Sequence, residues 1–417
     1  MFSKYISLQI QISKPFPFLY VEAEPTALWK RTLSQFNPVQ AISENQSYHP
    51  VFKKLMNQLE GIVRRKKQQL SFQLTMTSES TISGFQCPKK PDFTGFIPDT
   101  TQSAANIVFF IELKVIKTGS TWDSASVVQI LGYCERALSV QPMRQFIYGA
   151  LCNNKDFQLF RVQRNPRRLQ DRRHDGSHWV NYEAYPTVPL MTDGFKQLYT
   201  LATASSAQLG IVPLPLVTVD GATLAVELDV AVGYGAHAVV YKAFRGDALF
   251  AVKVFLNASV CRTEVDVLQL FATNDVPNVP RVINSMIVAE AHSEGPPSPS
   301  WIVVQPLATH IDLLAFNDCH ARDVINCLQA AHKTGYVCRD VRIANIMEHE
   351  GHAYIVDWNS AALIGIATMP SGTVRCAPDN VLVAMENNQS YEPAAKDDLI
   401  SLVRLMLLRV RASCRAG

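Results

Sequence analysis

Strand-like runs of apolar residues in this chain are interrupted by single charged positions. In the run 107–115, which reads IVFFIELKV, Glu112 and Lys114 stand two residues apart. Because side chains alternate between the two faces of a strand, both point to one face while the intervening leucine points to the other. The run 250–255, FAVKVF, likewise carries one lysine, Lys253, among strand formers. The pattern predicts strands whose apolar side chains enter a core while these charged ones face a polar surface.

Helical spacing predicts helices over 51–61 and 399–410, and a further helix after the first lysine-bearing strand. On that further helix Gln129 and Tyr133 are four residues apart and therefore share one face. The segment 399–410 is rich in leucine, valine and methionine, and the sequence offers no later element to bury its apolar face. We expect either a truncated lobe or another chain that covers this face.

A possible hydrolytic set surrounds the first of these strands. Asp92 precedes the strand, and with Glu112 it could hold a divalent cation while Lys114 orients or activates water for attack on a phosphodiester. Glu-x-Lys alone is common on exposed strand faces. Together with Gln129 and Tyr133, the set resembles the PD-(D/E)xK restriction-endonuclease-like superfamily, in its branch with a Gln-x-x-x-Tyr motif. The resemblance implies a core site of Asp92, Glu112 and Lys114, with the first two as metal ligands and Gln129 and Tyr133 beside them.

The same resemblance implies an acidic residue on the preceding helix, and Glu60 is the candidate, although a glutamate on a polar helix face is usually just solvated. Basic residues cluster at 64–67 and between 161 and 173. Both clusters could contact a phosphate backbone, which makes nucleic acid a possible partner of this half. For the first cluster a solvated helix face is favoured over phosphate contact, and the second reads as a polar loop or equally as a nuclear-import signal.

A glycine-rich segment precedes the second lysine-bearing strand. Residues 233–240, GYGAHAVV, fit the pattern Gly-x-Gly-x-x-Gly-x-Val with alanine in the third glycine position. Two glycines let backbone N–H groups approach phosphate oxygens without a side-chain clash. A glycine-rich hairpin is the alternative for this loop alone. Because Lys253 follows at the expected distance, a phosphate contact is favoured.

Three polar residues further on stand in the order that phosphoryl transfer from ATP requires. Asp340 is followed by Asn345 five residues later and then, after a short apolar strand, by Asp357. One carboxylate can accept the proton of a substrate hydroxyl, while an asparagine and an aspartate can hold magnesium ions. Glu264 lies on a helical pattern and is the natural partner that would fix Lys253 on the phosphates.

These motifs, with the segment 372–379 and the pair Asp397–Asp398, make the chain from about residue 225 onward resemble a eukaryotic-type protein kinase. The strand and hinge at 301–307 would then contact adenine. The roles implied are catalytic base for Asp340, a charge near the transferred phosphoryl group for Arg342, magnesium ligands for Asn345 and Asp357, and nucleotide binding for Gly233, Gly235, Val240, Ala251, Lys253 and Glu264.

The chain departs from the kinase pattern at several positions. Cys338 replaces the usual histidine, Arg342 replaces the lysine of serine/threonine kinases, and Trp358 and Asn359 replace Phe-Gly. Asn359 tolerates positive φ better than most residues and could therefore stand in for glycine. No departure deletes a group that does chemistry, which favours an active kinase over a pseudokinase. Arg342 leaves serine/threonine versus tyrosine specificity open.

A nuclease-like domain followed by a kinase domain resembles the Crinkler-type effectors of fungi and oomycetes over roughly residues 45–417. The resemblance implies an α+β protein of two domains, a restriction-endonuclease-like α/β core and a bilobal kinase-like fold with an incomplete C-terminal lobe. The expected segments are an N-terminal extension (1–44), the nuclease-like domain (45–200), a linker (201–222) and the truncated kinase-like domain (223–417).

Composition changes this picture little. A net charge of +3 argues against a general nucleic-acid binder, and no apolar run reaches membrane-spanning length. Nine cysteines without a Cys-x-x-Cys pair indicate reduced thiols in the cytoplasm or nucleus and no zinc site. The first residues lack the apolar core of a secretory signal, so secretion into a host cell is neither indicated nor excluded.

Three functional hypotheses follow. The first is an ATP- and Mg²⁺-dependent kinase, of serine/threonine type, that phosphorylates a protein substrate. The second is a Mg²⁺-dependent nuclease regulated by its kinase module. The third is a non-catalytic effector in which both folds only bind partners. The complete phosphoryl-transfer set favours the first hypothesis, with the nuclease as the alternative.

Overall fold

The computed structural model contains seven α-helices and several β-sheets in the residues that it describes. The predicted mixture of α and β structure is therefore confirmed. The chain divides into two compact units; the first comprises Met1–Leu214, Leu228–Val239 and Glu294–Ser298, and the second comprises Pro215–Glu227, Val240–Ser293 and Pro299–Gly417. The described residues are 11–12, 49–78, 82, 90–100, 102–114, 122–164, 180–212, 214–234, 238–255, 257–288 and 299–416.

The first unit is built on an eight-stranded mixed sheet in the order β1-β7-β6-β5-β4-β3-β2, with β8 paired to β6. Strand β4 runs parallel to β5 and antiparallel to β3, so it lies inside the sheet. The strands are β1 (Gln11–Ile12), β2 (Gln73–Met76), β3 (Phe93–Phe96), β4 (Ile107–Leu113), β5 (Phe146–Cys152), β6 (Asp156–Arg164), β7 (Val180–Ala184) and β8 (Val188–Pro189).

Helices cover both faces of this sheet, which explains why β4 reads as an almost continuous apolar run. Helices α1 (His49–Arg65) and α3 (Phe195–Ala202) share a core with Phe109 of β4, and α2 (Ser124–Ser139) shares the other core with Phe110. Because side chains alternate along the strand, Glu112 lies on the same face as Phe110, toward α2. The start of α2 is set by its N-cap, Asp123, whose carboxylate accepts a hydrogen bond from Ser126 N at 2.7 Å.

The predicted linker, 201–222, begins too early. Leu201 belongs to α3 and is buried in the core of the first unit, and Leu209 is buried as well. Ile211 then forms a β-bridge with Arg144. The small polar residues at 202–206 resembled a linker, but the buried leucines around them tie the segment to the first unit. At the other end, the carbonyl of Thr218 accepts a hydrogen bond from Asn284 Nδ2 at 2.6 Å and so belongs to the second unit.

Next along the chain comes a five-stranded sheet in the order β11-β12-β13-β15-β14. Strand β13 lies in its middle, and antiparallel pairing with β15 places Lys253 opposite Ile302. Helix α4 (Ala258–Thr273) follows β13 and begins at the N-cap Asn257. The strands are β11 (Ala225–Tyr234), β12 (Ala238–Arg245), β13 (Ala248–Phe255), β14 (Arg281–Met286) and β15 (Ser300–Gln305), preceded by a hairpin of β9 (Thr218–Val219) and β10 (Ala222–Thr223).

The rest of the second unit consists of helices and short sheets. Strands β16, β18 and β19 form one small sheet, and β17 pairs with β20 in another. Between β17 and β18 lies the loop that carries Asp340. The elements are β16 (Thr309–His310), α5 (Asp318–Lys333), β17 (Tyr336–Val337), β18 (Ile346–His349), β19 (His352–Ile355), β20 (Ala362–Leu363), α6 (Asp379–Glu386) and α7 (Ala395–Ala416).

Helix α7 contains the segment 399–410, whose apolar side chains are only partly buried: Leu402 and Leu405 are 3% and 1% exposed. Its first turn is anchored, because Asp397 and Asp398 are buried. Further along, Ile400, Val403, Leu407 and Val410 are between 37% and 58% exposed. No helix in the part of the chain that the structure describes has the length and apolarity needed to cross a membrane.

Candidate catalytic sites

In the second unit, Lys253 is held between two carboxylates. Its Nζ lies 2.9 Å and 2.7 Å from the two carboxylate oxygens of Glu264, and 2.8 Å from Oδ1 of Asp357. Helix α4 presents Glu264, which is buried, and Asp357 comes from the segment after β19. The structure thus brings together three residues that the sequence predicts as one set, although 104 positions separate Lys253 from Asp357.

The charges of this cluster support one another. Burial alone lowers the pKa of Lys253, but the carboxylates of Asp357 and Glu264 more than offset that effect and hold the pKa above its usual range. Burial by itself raises the pKa of Asp357, but the ammonium of Lys253 more than offsets this effect, and the pKa is lowered overall. Lys253 and Asp357 are therefore a charged pair at neutral pH. Burial raises the pKa of Glu264 to about 7, against the attraction of the same ammonium.

A second group of predicted residues surrounds Asp340. Its Oδ2 accepts a hydrogen bond from Asn345 Nδ2 at 2.9 Å and lies 3.1 Å from Arg342 Nε. Its Oδ1 accepts a hydrogen bond from Thr373 N at 2.9 Å. The carboxylate is therefore fixed by its own loop on one side and by the segment around 373 on the other.

The loop that carries Asp340 is braced by Asp398. This buried carboxylate accepts hydrogen bonds from the backbone N–H groups of Cys338 and Arg339, each at 2.8 Å, and pairs with His332 Nε2 at 2.8 Å. Two backbone donors on one buried acceptor hold Arg339 in a left-handed conformation, with φ of +66°. The pair Asp397–Asp398 is among the motifs that the sequence singles out. The contact of His332 with Asp398 could not be predicted, because nothing in the spacing of His332 on α5 singles it out.

The two substituted positions beside Asp357 behave differently. Trp358 is fully buried, donates from Nε1 to the carbonyl of Ile355 at 2.9 Å, and meets Phe271 edge-on with ring centroids 4.6 Å apart. Asn359 tolerates positive φ and could stand in for glycine, but it does not adopt that conformation here. It is not among the described non-glycine residues that have positive φ.

The predicted nucleotide-contacting residues lie on the five-stranded sheet. Ala251 is buried opposite Val304 of β15, and Val240 is half-buried on β12. Gly233 lies near the end of β11. Gly235 lies outside the described residues, so the conformation of the glycine-rich loop stays a prediction.

In the first unit, the hydrolytic set converges at the end of β4. Glu112 Oε1 accepts hydrogen bonds from Lys114 Nζ at 2.7 Å and from Gln129 Nε2 at 2.6 Å. Gln129 Nε2 also donates to the hydroxyl of Tyr133 at 2.6 Å. Asp92 joins from the start of β3, since its Oδ2 accepts a hydrogen bond from the backbone N–H after Glu112 at 2.7 Å. All five predicted residues are thus brought together.

Glu112 is electrostatically the least satisfied member of this set. Burial raises its pKa to about 7; the charge of Asp92 acts in the same direction, while Lys114 opposes both. Its second oxygen, Oε2, is buried and has no hydrogen-bond partner in the described part of the chain. A buried acceptor without a donor suits a cation, which would supply the missing positive charge. Among the described residues, however, no group of three or more His, Cys, Asp or Glu side chains could hold a metal ion, so these residues offer a cation here two carboxylate ligands at most.

The helix-borne partner of this set is His49 and not Glu60. His49 Nε2 lies 2.9 Å from Asp92 Oδ1, and both side chains are buried. Glu60 stands eleven positions later on α1, roughly 16 Å away along the helix axis at about 1.5 Å per residue. The amphipathic pattern locates the helix, but it does not say which of its turns reaches the strand end.

Comparison with known proteins assigns neither unit. No protein-family model matches the chain, and no curated protein matches it. The geometry of the two sites is therefore the basis on which a function can be proposed.

Proposed function

We propose that this protein is an ATP-dependent protein kinase that transfers the γ-phosphate of ATP to a hydroxyl group of a protein. The observation that carries the proposal is the buried Lys253 held by Glu264 and Asp357. In protein kinases an ion pair between a strand lysine and a helix glutamate must form, and the metal-binding aspartate must be in place, before transfer can occur. The Lys253–Glu264 pair matches the first condition, and Asp357, the proposed metal ligand, lies beside the same lysine.

Each residue of the second unit has a role in this proposal. Lys253 would contact phosphate oxygens, and Asp340 would accept the proton of the substrate hydroxyl. Arg342, 3.1 Å from Asp340, keeps a positive charge beside the point of transfer. Asn345 donates from Nδ2 to Asp340, so its Oδ1 would be available to a cation that Asp357 also binds. Magnesium held there would neutralise charge on the phosphates.

Autophosphorylation with labelled ATP and Mg²⁺ tests the proposal. We expect label on the wild type and a loss of about 10²-fold or more in Asp340→Asn, since the variant can no longer accept the proton. Asp247→Asn is the matched control, because Asp247 is exposed in the turn between β12 and β13. A folded wild type without label, or equal label on Asp340→Asn, would contradict a kinase function.

A second candidate function is cation-dependent hydrolysis of a nucleic-acid phosphodiester by the first unit. Buried Glu112 Oε2, which has no hydrogen-bond partner in the described residues, favours it. Asp92 and Glu112 would hold the cation, Lys114 would orient or activate water, and Gln129 and Tyr133 would position Glu112. A chain with both activities would fit the proposed likeness to Crinkler-type effectors.

Cleavage of DNA and RNA with added Mg²⁺ or Mn²⁺ tests this second function. We expect Lys114→Ala to lower cleavage about 10²-fold while Lys155→Ala, an exposed lysine in the turn between β5 and β6, leaves it unchanged. Cleavage that survives Lys114→Ala would come from a contaminant or another site. Absence of cleavage from the folded wild type would leave the first unit a binding module.

A further inference from the structure

His49 stands at the start of α1 and is one of the few polar side chains on the buried face of that helix. It is only 3% exposed, and its ring meets Phe93 edge-on with centroids 5.6 Å apart. Its Nε2 lies 2.9 Å from Asp92 Oδ1 across 43 positions of sequence. A carboxylate only accepts hydrogen bonds when ionised, so Nε2–H of His49 donates to it.

The structural alternative is a core histidine that merely satisfies its own polar atom. The surroundings of Asp92 argue against that reading. Its Oδ1 is held by His49 and its Oδ2 by Leu113 N at 2.7 Å, and the residue before Leu113 is Glu112. Two donors on different elements fix both the position and the plane of the Asp92 carboxylate. Each oxygen keeps a second lone pair, which is the arrangement of a carboxylate set up to bind a further positive group.

We infer that His49 is a positioning residue of the first-unit site, which orients Asp92 for a divalent cation shared with Glu112. The inference rests on the second proposed function, the cation-dependent hydrolysis. Helix α1 thus supplies an imidazole donor where the sequence suggested a third carboxylate. An imidazole holds Asp92 in place and adds no further negative charge beside the buried Oε2 of Glu112, which has no hydrogen-bond partner among the described residues.

An imidazole at position 49 also fits the charge balance of the site. Lys114 is the cation bonded to Glu112, at 2.7 Å. A lysine or arginine at position 49 would neutralise Asp92 and repel an incoming metal ion, whereas an imidazole holds the carboxylate and leaves its charge available. Partners of metal ligands typically contribute 10- to 100-fold to metal affinity.

Titration calorimetry with Mn²⁺ on the full chain tests the inference. All proteins carry Asp357→Asn, which removes the charged one of the two cation ligands proposed for the second unit. Against that background we compare His49→Phe, which keeps the ring but loses the donor, with His49→Gln, whose side-chain N–H can replace Nε2–H. Glu112→Gln serves as the variant that removes a proposed ligand.

We expect His49→Phe to weaken Mn²⁺ binding about tenfold or more, and His49→Gln to stay within about threefold of the parent. A purely structural histidine would lower the melting temperature of both variants and leave the affinity of the folded protein unchanged. Equal affinity of His49→Phe and the parent, with binding still lost in Glu112→Gln, overturns the positioning role alone. A parent that binds no Mn²⁺, or whose binding survives Glu112→Gln, overturns the cation site and the positioning role together.

Discussion

The two units treat buried charge in opposite ways. In the second unit, the ammonium of Lys253 contacts three carboxylate oxygens, so the positive and negative groups satisfy one another. In the first unit, Glu112 accepts hydrogen bonds through Oε1, while its buried Oε2 has no hydrogen-bond partner among the described residues. A site whose charged groups pair with one another is therefore stable without a ligand. A site in which a buried carboxylate oxygen lacks a donor can instead bind a cation from outside.

Removing the ammonium group of Lys253 should give the largest loss of stability. Lys253→Met leaves Glu264 and Asp357 buried without their partner, and we expect the free energy of unfolding to fall by about 3–5 kcal/mol. Lys242→Met is the control, since Lys242 Nζ lies 3.9 Å from Glu227 at the surface and should contribute less than about 1 kcal/mol. Urea unfolding followed by fluorescence measures both. Equal losses in the two variants would mean that the buried cluster is not a stabilising ion pair.

Replacing the buried carboxylate of Glu112 by a neutral group should change the free energy of unfolding in the opposite direction. The folded pKa of Glu112, about 7, exceeds the usual 4.5, so the folded state binds this proton more tightly than the unfolded chain. The resulting stability is fully present below the unfolded pKa and is lost as the pH rises through the folded pKa. With divalent cations chelated, Glu112→Gln should therefore match the wild type at about pH 4.5 and exceed it by about 1–3 kcal/mol at about pH 8.

Thermal unfolding of both proteins across this pH range checks the prediction. A wild type that is more stable than Glu112→Gln at about pH 8 would show that Lys114 fully compensates the buried carboxylate. The contrast between the two units would then disappear.

The smallest effect is expected at the helix that carries Gln129 and Tyr133. Asp123 caps α2, and the backbone N–H of Ser126 lowers its pKa. A lowered folded pKa gives stability that is present above the unfolded pKa and is lost as the pH falls through the folded value. Asp123→Ala should therefore cost about 1 kcal/mol at neutral pH and less in acid. Asp156→Ala, an acidic residue at the start of β6 outside any helix cap, is the comparison; a constant difference across the pH range would contradict the capping role.

Much of both candidate sites follows from local pattern. The alternation in 107–115 places Glu112 and Lys114 on one strand face, and four-residue spacing places Gln129 and Tyr133 on one helix face. Spacing also relates Asp340 to Asn345 within one loop. These relations survive in the structure because they depend on the geometry of a single element.

The partners that come from distant elements could be identified only in the tertiary structure. His49 on Asp92, His332 on Asp398, and the extension of the first unit past residue 200 each depend on which turn of a helix packs against which strand end. The helices, the strands and the charged positions on them could be predicted from the sequence, because strand and helix periods are local properties of the chain. The sequence could not determine those partners, because contacts across 43 or 66 positions are set by the packing of whole elements against one another.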